Sequence, residues 1–249
     1  MGLRSRKSEG ADGTPAVVEE GRLKRGANLL AEGKPEPAEY LFRSVLEGFA
    51  DSAVAHALLA MALADQGRAR EAMGSSADAV ALNPQLALAH AARACALEAR
   101  GMPWEAELEA RQAIALAPND ANRHSDLAGM VGRAGRYDEA LAISAKGLAL
   151  NPQHLPSLHC RALALVSLGR PDEAQDVLAA ALLEDSDMAQ LHASIGLALE
   201  HRGDRLRAAE EFRQAVLLDN SVLTAHDGIG RLNSRYRRLL RAGWRRWGP

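Results

Sequence analysis

The side chains with most scope for chemistry are eight histidines and two cysteines. Five histidines, His56, His90, His124, His192 and His226, fall on one 34-residue grid, with Leu158 in the remaining slot. A metal ladder would need ligand nitrogens at about 2.0 to 2.1 Å from a shared ion. Equivalent side chains in stacked units stand about two helix diameters apart, each about 8 to 10 Å, so no two can share one. The five are therefore expected to fill the inner face of a helix. His154, His159 and Cys160 form one local donor cluster, without a carboxylate or second cysteine at a helical i, i+4 step, and no metal is expected there. Cys95 and Cys160 belong to non-adjacent units, too far apart to bridge, and read as reduced structural thiols. The sequence has no GxSxG, no HExxH, no phosphate-cradling glycine loop and no paired CxxC. It predicts a noncatalytic protein with no cofactor.

What must position these residues is a repeat. Gly33, Gly67, Gly101, Gly135, Gly169 and Gly203 stand 34 residues apart, each followed five residues later by alanine, from Ala38 to Ala208. A strict period of this length means one supersecondary unit copied end to end. Counted from Ala53, Ala87, Ala121, Leu155 and Ala189, small or apolar residues recur at positions 8 and 11, with histidine or leucine at 4 and an aliphatic residue or arginine at 7, and then at 20, 24, 27 and 28. That is helical spacing in two runs. The glycine between them can take the left-handed conformation that closes a helix, and Pro84, Pro118 and Pro152 cannot continue one. Each unit thus reads as helix, tight turn, helix, stop. The unit beginning at Ala121 carries Gly129, Gly132 and Gly147 inside its helices, each costing about 0.5 to 1 kcal/mol relative to alanine, which predicts a weak stretch in the array.

The segments GRAREA from Gly67, GRYDEA from Gly135 and GRPDEA from Gly169, with ALNP ending at Pro84 and Pro152, resemble the tetratricopeptide repeats. The resemblance implies an all-α fold, a right-handed solenoid of antiparallel helix pairs. Six repeats are expected at 19–52, 53–86, 87–120, 121–154, 155–188 and 189–222, after a disordered lead over 1–18 and before a capping and basic amphipathic helix over 223–249. The chain departs from the family at position 4, where histidine replaces a large aromatic. The first repeat, with Pro35 and Pro37 around its turn and Ala50 at its end, reads as a cap. The resemblance also implies that a protein or peptide partner lies along the first helices, in a groove formed by Ala57, Leu58, Met61, Asp65, Ala91, Ala92, Glu98, Ser125, Asp126, Arg133, His159, Leu163, Ala193 and Leu197. These residues have neither the Lys, Asn and Arg pattern by which some members hold a carboxylate nor the asparagine ladder of others.

The charge is unevenly spread. Residues 1–227 carry −9, whereas the stretch from Gly228 onward has seven arginines and no acidic residue. Arg235, Tyr236, Arg238, Leu239, Arg241, Trp244, Arg245 and Trp247 belong to a basic amphipathic stripe that either caps the array or rests on an anionic membrane surface. The acidic body speaks against nucleic acid. This ending also resembles the junction before the membrane spans of some bacterial members of the family. No apolar run approaches bilayer length, and the charged, Gly-rich start does not read as a secretion signal. The expected location is the cytoplasm, with the tail as a route to the membrane periphery.

Overall fold

The glycine at the centre of each unit dictates the local chain path. In the computed structural model, which describes residues 15–181 and 185–232, all six periodic glycines are left-handed, with φ between +70° and +86°. The residue after each one donates its backbone N–H to a carbonyl five residues back. Lys34, Arg68, Met102, Arg136, Arg170 and Asp204 reach Leu29, Leu63, Leu97, Val131, Leu165 and Leu199 at 2.8 to 3.0 Å. This is the Schellman closure, which satisfies helix-end carbonyls while turning the chain back. Its acceptor is the apolar position 11 of each unit, so one residue both packs into the core and anchors the turn.

The structure divides into two compact units, Met1–Leu116 and Ala117–Pro249. The first holds three helix pairs: α1 (Pro15–Ala31) with α2 (Pro35–Leu46), α3 (Ala53–Asp65) with α4 (Ala69–Leu82), and α5 (Ala87–Ala99) with α6 (Pro103–Leu116). The second holds α7 (Ala121–Arg133) with α8 (Tyr137–Leu150), α9 (Leu155–Ser167) with α10 (Pro171–Ala180), and α11 (Asp185–Arg202) with α12 (Arg205–Leu218). A further helix, α13, runs over 223–232. Among the described residues every regular element is a helix. Proline opens α2, α6 and α10, where its missing N–H is not needed. Most of the proposed lead, and the tail from Arg235 to Trp247, lie outside the described residues.

The cores are built mostly from alanine and leucine. In the first unit Ala57, Ala60, Ala79, Ala89 and Ala92 form one cluster, and Phe42, Leu59 and Leu63 belong to another. In the second, Leu165, Leu191, Ile195 and Phe212 lie in one cluster that Ile229 and Leu232 of α13 pack against. Volume is traded within each pair. Phe42 and Phe212 are fully buried and lie where the β-carbons of Gly26 and Gly196 would be. At the same two positions other pairs use Ala60 with Ser76, Ala94 with Ala110, and Ala128 with Ser144.

The periodic histidines do more than fill space. Nε2 of His90, His124 and His226 donates at 2.9 Å to the carbonyl of Pro84, Pro118 and Asn220, and that of His56 at 3.0 Å to Ala50. Each ring ties a helix start to the loop six residues before it. The expectation of a plain filler missed this bond, which a large aromatic at position 4 could not make in the same way.

Candidate functional site

In the second unit the first helices α7, α9 and α11 stand side by side, and their common face opens into a cleft of about 610 Å³. That is the size of an ordinary ligand pocket. Its floor is apolar and small: Ala128, Ala164, Leu163, Leu197 and Ala198. Gly129 and Gly132, one turn apart on α7, leave part of the wall without side chains. A β-carbon on Gly129 would stand 3.3 Å from the Arg133 guanidinium and 3.8 Å from the Cys160 sulfur.

The polar lining comes from Arg133, Tyr137, His159, Cys160, Ser167, Ser194, His201 and Arg202. Burial holds the His159 pKa below its ordinary value, which favours the neutral ring. Burial pushes the Cys160 thiol up to about 11, with Arg133 pulling it down and Asp126 raising it, which keeps the thiol protonated and a poor nucleophile. Its Sγ donates to the Ser125 carbonyl at 3.6 Å. At the rim, burial raises the Asp126 pKa against the pull of Arg123, whose Nη1 lies 2.7 Å from the carboxylate, and of Arg133. Arg202 crosses the turn of the neighbouring pair. Its guanidinium donates to the Ser167 carbonyl, and a β-carbon on Gly169 would lie 2.9 Å from its Nη2. Gly169 therefore serves the left-handed turn and the close approach of Arg202 together.

Arg133, His159, Leu163 and Leu197, expected at a groove, line this cleft together. Asp126 and Ser125 lie beside it on α7, Asp126 partly exposed and Ser125 buried, with its hydroxyl donating to the Asn122 carbonyl. Ala193 is buried in the core cluster of the second unit. In the first unit Leu58 and Met61 are half-buried, Asp65 is exposed, and Glu98 is half-buried. Ala57, Ala91 and Ala92 are buried there. These alanines offer a partner almost no surface, because at a close helix approach a methyl group is consumed by the neighbouring helix. Sequence reasoning missed Tyr137, Ser167 and Arg202, which come from the turn ends of the pairs and not from the middle of the first helices.

His154 and Cys160 do not form one donor set. His154 Nδ1 lies 2.9 Å from the Ser157 hydroxyl and Nε2 lies 3.1 Å from the Asn122 side-chain oxygen, so both ring nitrogens are engaged. Ser157 is fully buried, which keeps this serine, histidine and asparagine set away from any substrate.

The helix pairs, the six left-handed turns and the 34-residue step agree with a family model for the tetratricopeptide repeat, which matches residues 132–195. Residues 132–195 carry tetratricopeptide repeats. Solved structures show the same repeat fold. A tetratricopeptide repeat protein from Parabacteroides merdae is 17% identical, with a TM-score of 0.60 over 91% of this chain and 87% of that one. Pseudomonas aeruginosa pilF is 19% identical, with a TM-score of 0.56 over 86% of this chain and 97% of its own. The human IFIT1 dimer with m7Gppp-AAAA is 17% identical, with a TM-score of 0.65 over 91% of this chain and 56% of that one. At such identities the likeness concerns the fold. No curated protein sequence matches the chain. Tetratricopeptide repeats serve protein interaction, and no described helix here is long and apolar enough to cross a membrane.

Proposed function

We propose that the protein is a noncatalytic interaction scaffold that takes a peptide or helix of a protein partner in the cleft between α7, α9 and α11. The observation that carries this reading is the cleft itself: an apolar floor between adjacent first helices, opened by Gly129 and Gly132 and edged by polar groups. An extended or helical segment suits it better than a small polar metabolite, because the floor offers apolar area and few convergent hydrogen-bonding groups. The protonated Cys160, and His159 favoured in its neutral form, are poor candidates for nucleophile and acid in a reaction.

The test is site-specific photocrosslinking. A photoreactive residue at Leu163 or Ser194 is expected to capture the partner, while one at Tyr40 or Leu206, which are 73% and 88% exposed away from the cleft, is not. Adducts confined to Tyr40 or Leu206 would place the partner elsewhere. Removing residues 233–249 is expected to leave the cleft adducts unchanged, which separates this scaffold from a subunit that works through its basic tail.

A further inference from the structure

The geometry points to an acidic partner: a segment that lodges a bulky apolar side chain over Gly129 and Gly132 and pairs its carboxylates with Arg202 and His201. This deepens the reading of the cleft as the partner site and rests on it.

The argument is one of charge complementarity. The cleft lining contains the arginines Arg133 and Arg202, with His201, and no carboxylate. Several arginines elsewhere in the second unit are neutralised at short range: Arg123 by Asp120 and Asp126, Arg170 by Glu173, Arg207 by Asp172, Arg231 by Glu200. Arg202 differs from them. Its bond is to the Ser167 carbonyl, which orients the guanidinium without cancelling its charge, and among the described residues it has no ion pair. The bare backbone of Gly169 lets the head group lie against the turn, so the arginine is held in place before a partner arrives. His201, the preceding residue, is exposed at the same end of the cleft. A preorganised fork of donors is what recognises a carboxylate. The same field disfavours a basic segment, the chain's own arginine-rich ending included.

The acidic groups beside Arg202 and beside the cleft are already committed: Asp172 and Asp204, which line a neighbouring pocket with Arg202, pair with Arg207 at 3.0 and 3.7 Å. Asp126 lies 2.7 Å from Arg123, and Glu200 lies 2.8 Å from Arg231. Neither lines the cleft, so neither supplies Arg202 with an internal counter-charge.

Three labelled amphipathic peptides with one leucine pattern test this, their polar positions filled with glutamate, glutamine or lysine. Binding to the full chain is read by fluorescence anisotropy at low salt and at about 0.5 M salt. The glutamate peptide is expected to bind about tenfold or more tightly than the lysine peptide, with the difference shrinking at high salt. His201→Glu and Arg202→Gln should each reduce that preference several-fold. Among the described residues His201 makes no hydrogen bond, so its variant remains informative if Arg202→Gln disturbs the turn. Equal binding of all three peptides would keep the groove and overturn the acidic assignment. Binding of none would overturn the groove and the assignment together.

Discussion

The Ser157 hydroxyl occupies the space that a β-carbon on Gly147 would need. Gly147 lies in α8 and Ser157 in α9, so this contact sets how closely the second helix of one pair meets the first helix of the next. Both residues are buried, and the Ser157 hydroxyl is also held by His154 at 2.9 Å.

The three helical glycines of α7 and α8 should consequently answer alanine substitution with different signs. A β-carbon on Gly132 would meet only Ala140, at an ordinary 3.7 Å, and one on Gly129 would meet the end of the flexible Arg133 side chain. Gly129→Ala and Gly132→Ala are each expected to stabilise by about 0.5 to 1 kcal/mol. Gly147→Ala is expected to destabilise by about 1 to 2 kcal/mol, because overpacking exceeds the propensity gain. In Gly147→Ala/Ser157→Ala most of that loss should return. Urea denaturation of the four variants checks this, and stabilisation by Gly147→Ala alone would contradict the packing argument. Peptide binding should weaken in Gly129→Ala, since the added methyl narrows the cleft.

The pairing of Gly196 with Phe212 gives a second case. A β-carbon on Gly196 would lie 2.7 Å from the Phe212 ring, which is fully buried with Gly228 also against it, so the ring has no room to withdraw. Gly196→Ala is expected to cost about 1 to 3 kcal/mol, and adding Phe212→Leu should restore part of it. A thermal melt in which Gly196→Ala matches the wild type would show that the ring can move.

The period made the turns legible in advance, because a glycine between two amphipathic runs has few other roles. The resemblance to tetratricopeptide repeats implied that Arg133, His159, Leu163 and Leu197 share a groove face, and these four line the cleft. It could not tell surface from seam on that face. Ala92 and Ala193 sit at groove positions, yet both are buried, because a side chain with one carbon lets helices close over it. Arg202 was illegible for the opposite reason. Its place depends on Gly169 and Ser167, more than thirty residues away, and on a backbone geometry that spacing does not encode. The glycines of α7 and α8 read from sequence as weakness. The structure makes Gly147 a fitted contact and Gly129 a wall of the site.

Glu39 is expected to carry an acid response in the first unit. Burial raises its pKa, but hydrogen bonds from Gln66 at 2.9 Å, Arg43 at 2.8 Å and Arg68 at 2.6 Å, with the Arg68 charge, bring it below the ordinary 4.5. A carboxylate with a lowered folded pKa contributes stability that is present above the unfolded pKa and lost as pH falls through the folded one. Stability should therefore decline as pH drops below about 4.5. Glu39→Gln is expected to be less stable at pH 7, by about 1 to 2 kcal/mol, and to show a shallower loss on acidification. Chemical denaturation at a series of pH values reads both, and parallel pH profiles for the two proteins would exclude Glu39 as a source of the decline.

The histidine tethers predict a difference between two residues at the same repeat position. His90 donates from Nε2 to the Pro84 carbonyl, and its Nδ1 lies 2.7 Å from the Glu109 carboxylate, an ion pair whenever the ring is protonated. His124 makes the matching bond to Pro118, but its buried Nδ1 has no partner among the described residues, because the residue facing it in sequence register is Ile143 and not a glutamate. The chain already carries leucine at this position in Leu158. Losing a hydrogen bond to a charged group costs about 1.5 to 3 kcal/mol, whereas relieving an unpaired buried nitrogen offsets much of the loss of a neutral one. His90→Leu is thus expected to destabilise by about 2 kcal/mol and His124→Leu by under about 1 kcal/mol. Equal losses in denaturant titrations of the two variants would mean that the carbonyl tether alone sets the strength of this position, with the Glu109 contact contributing nothing.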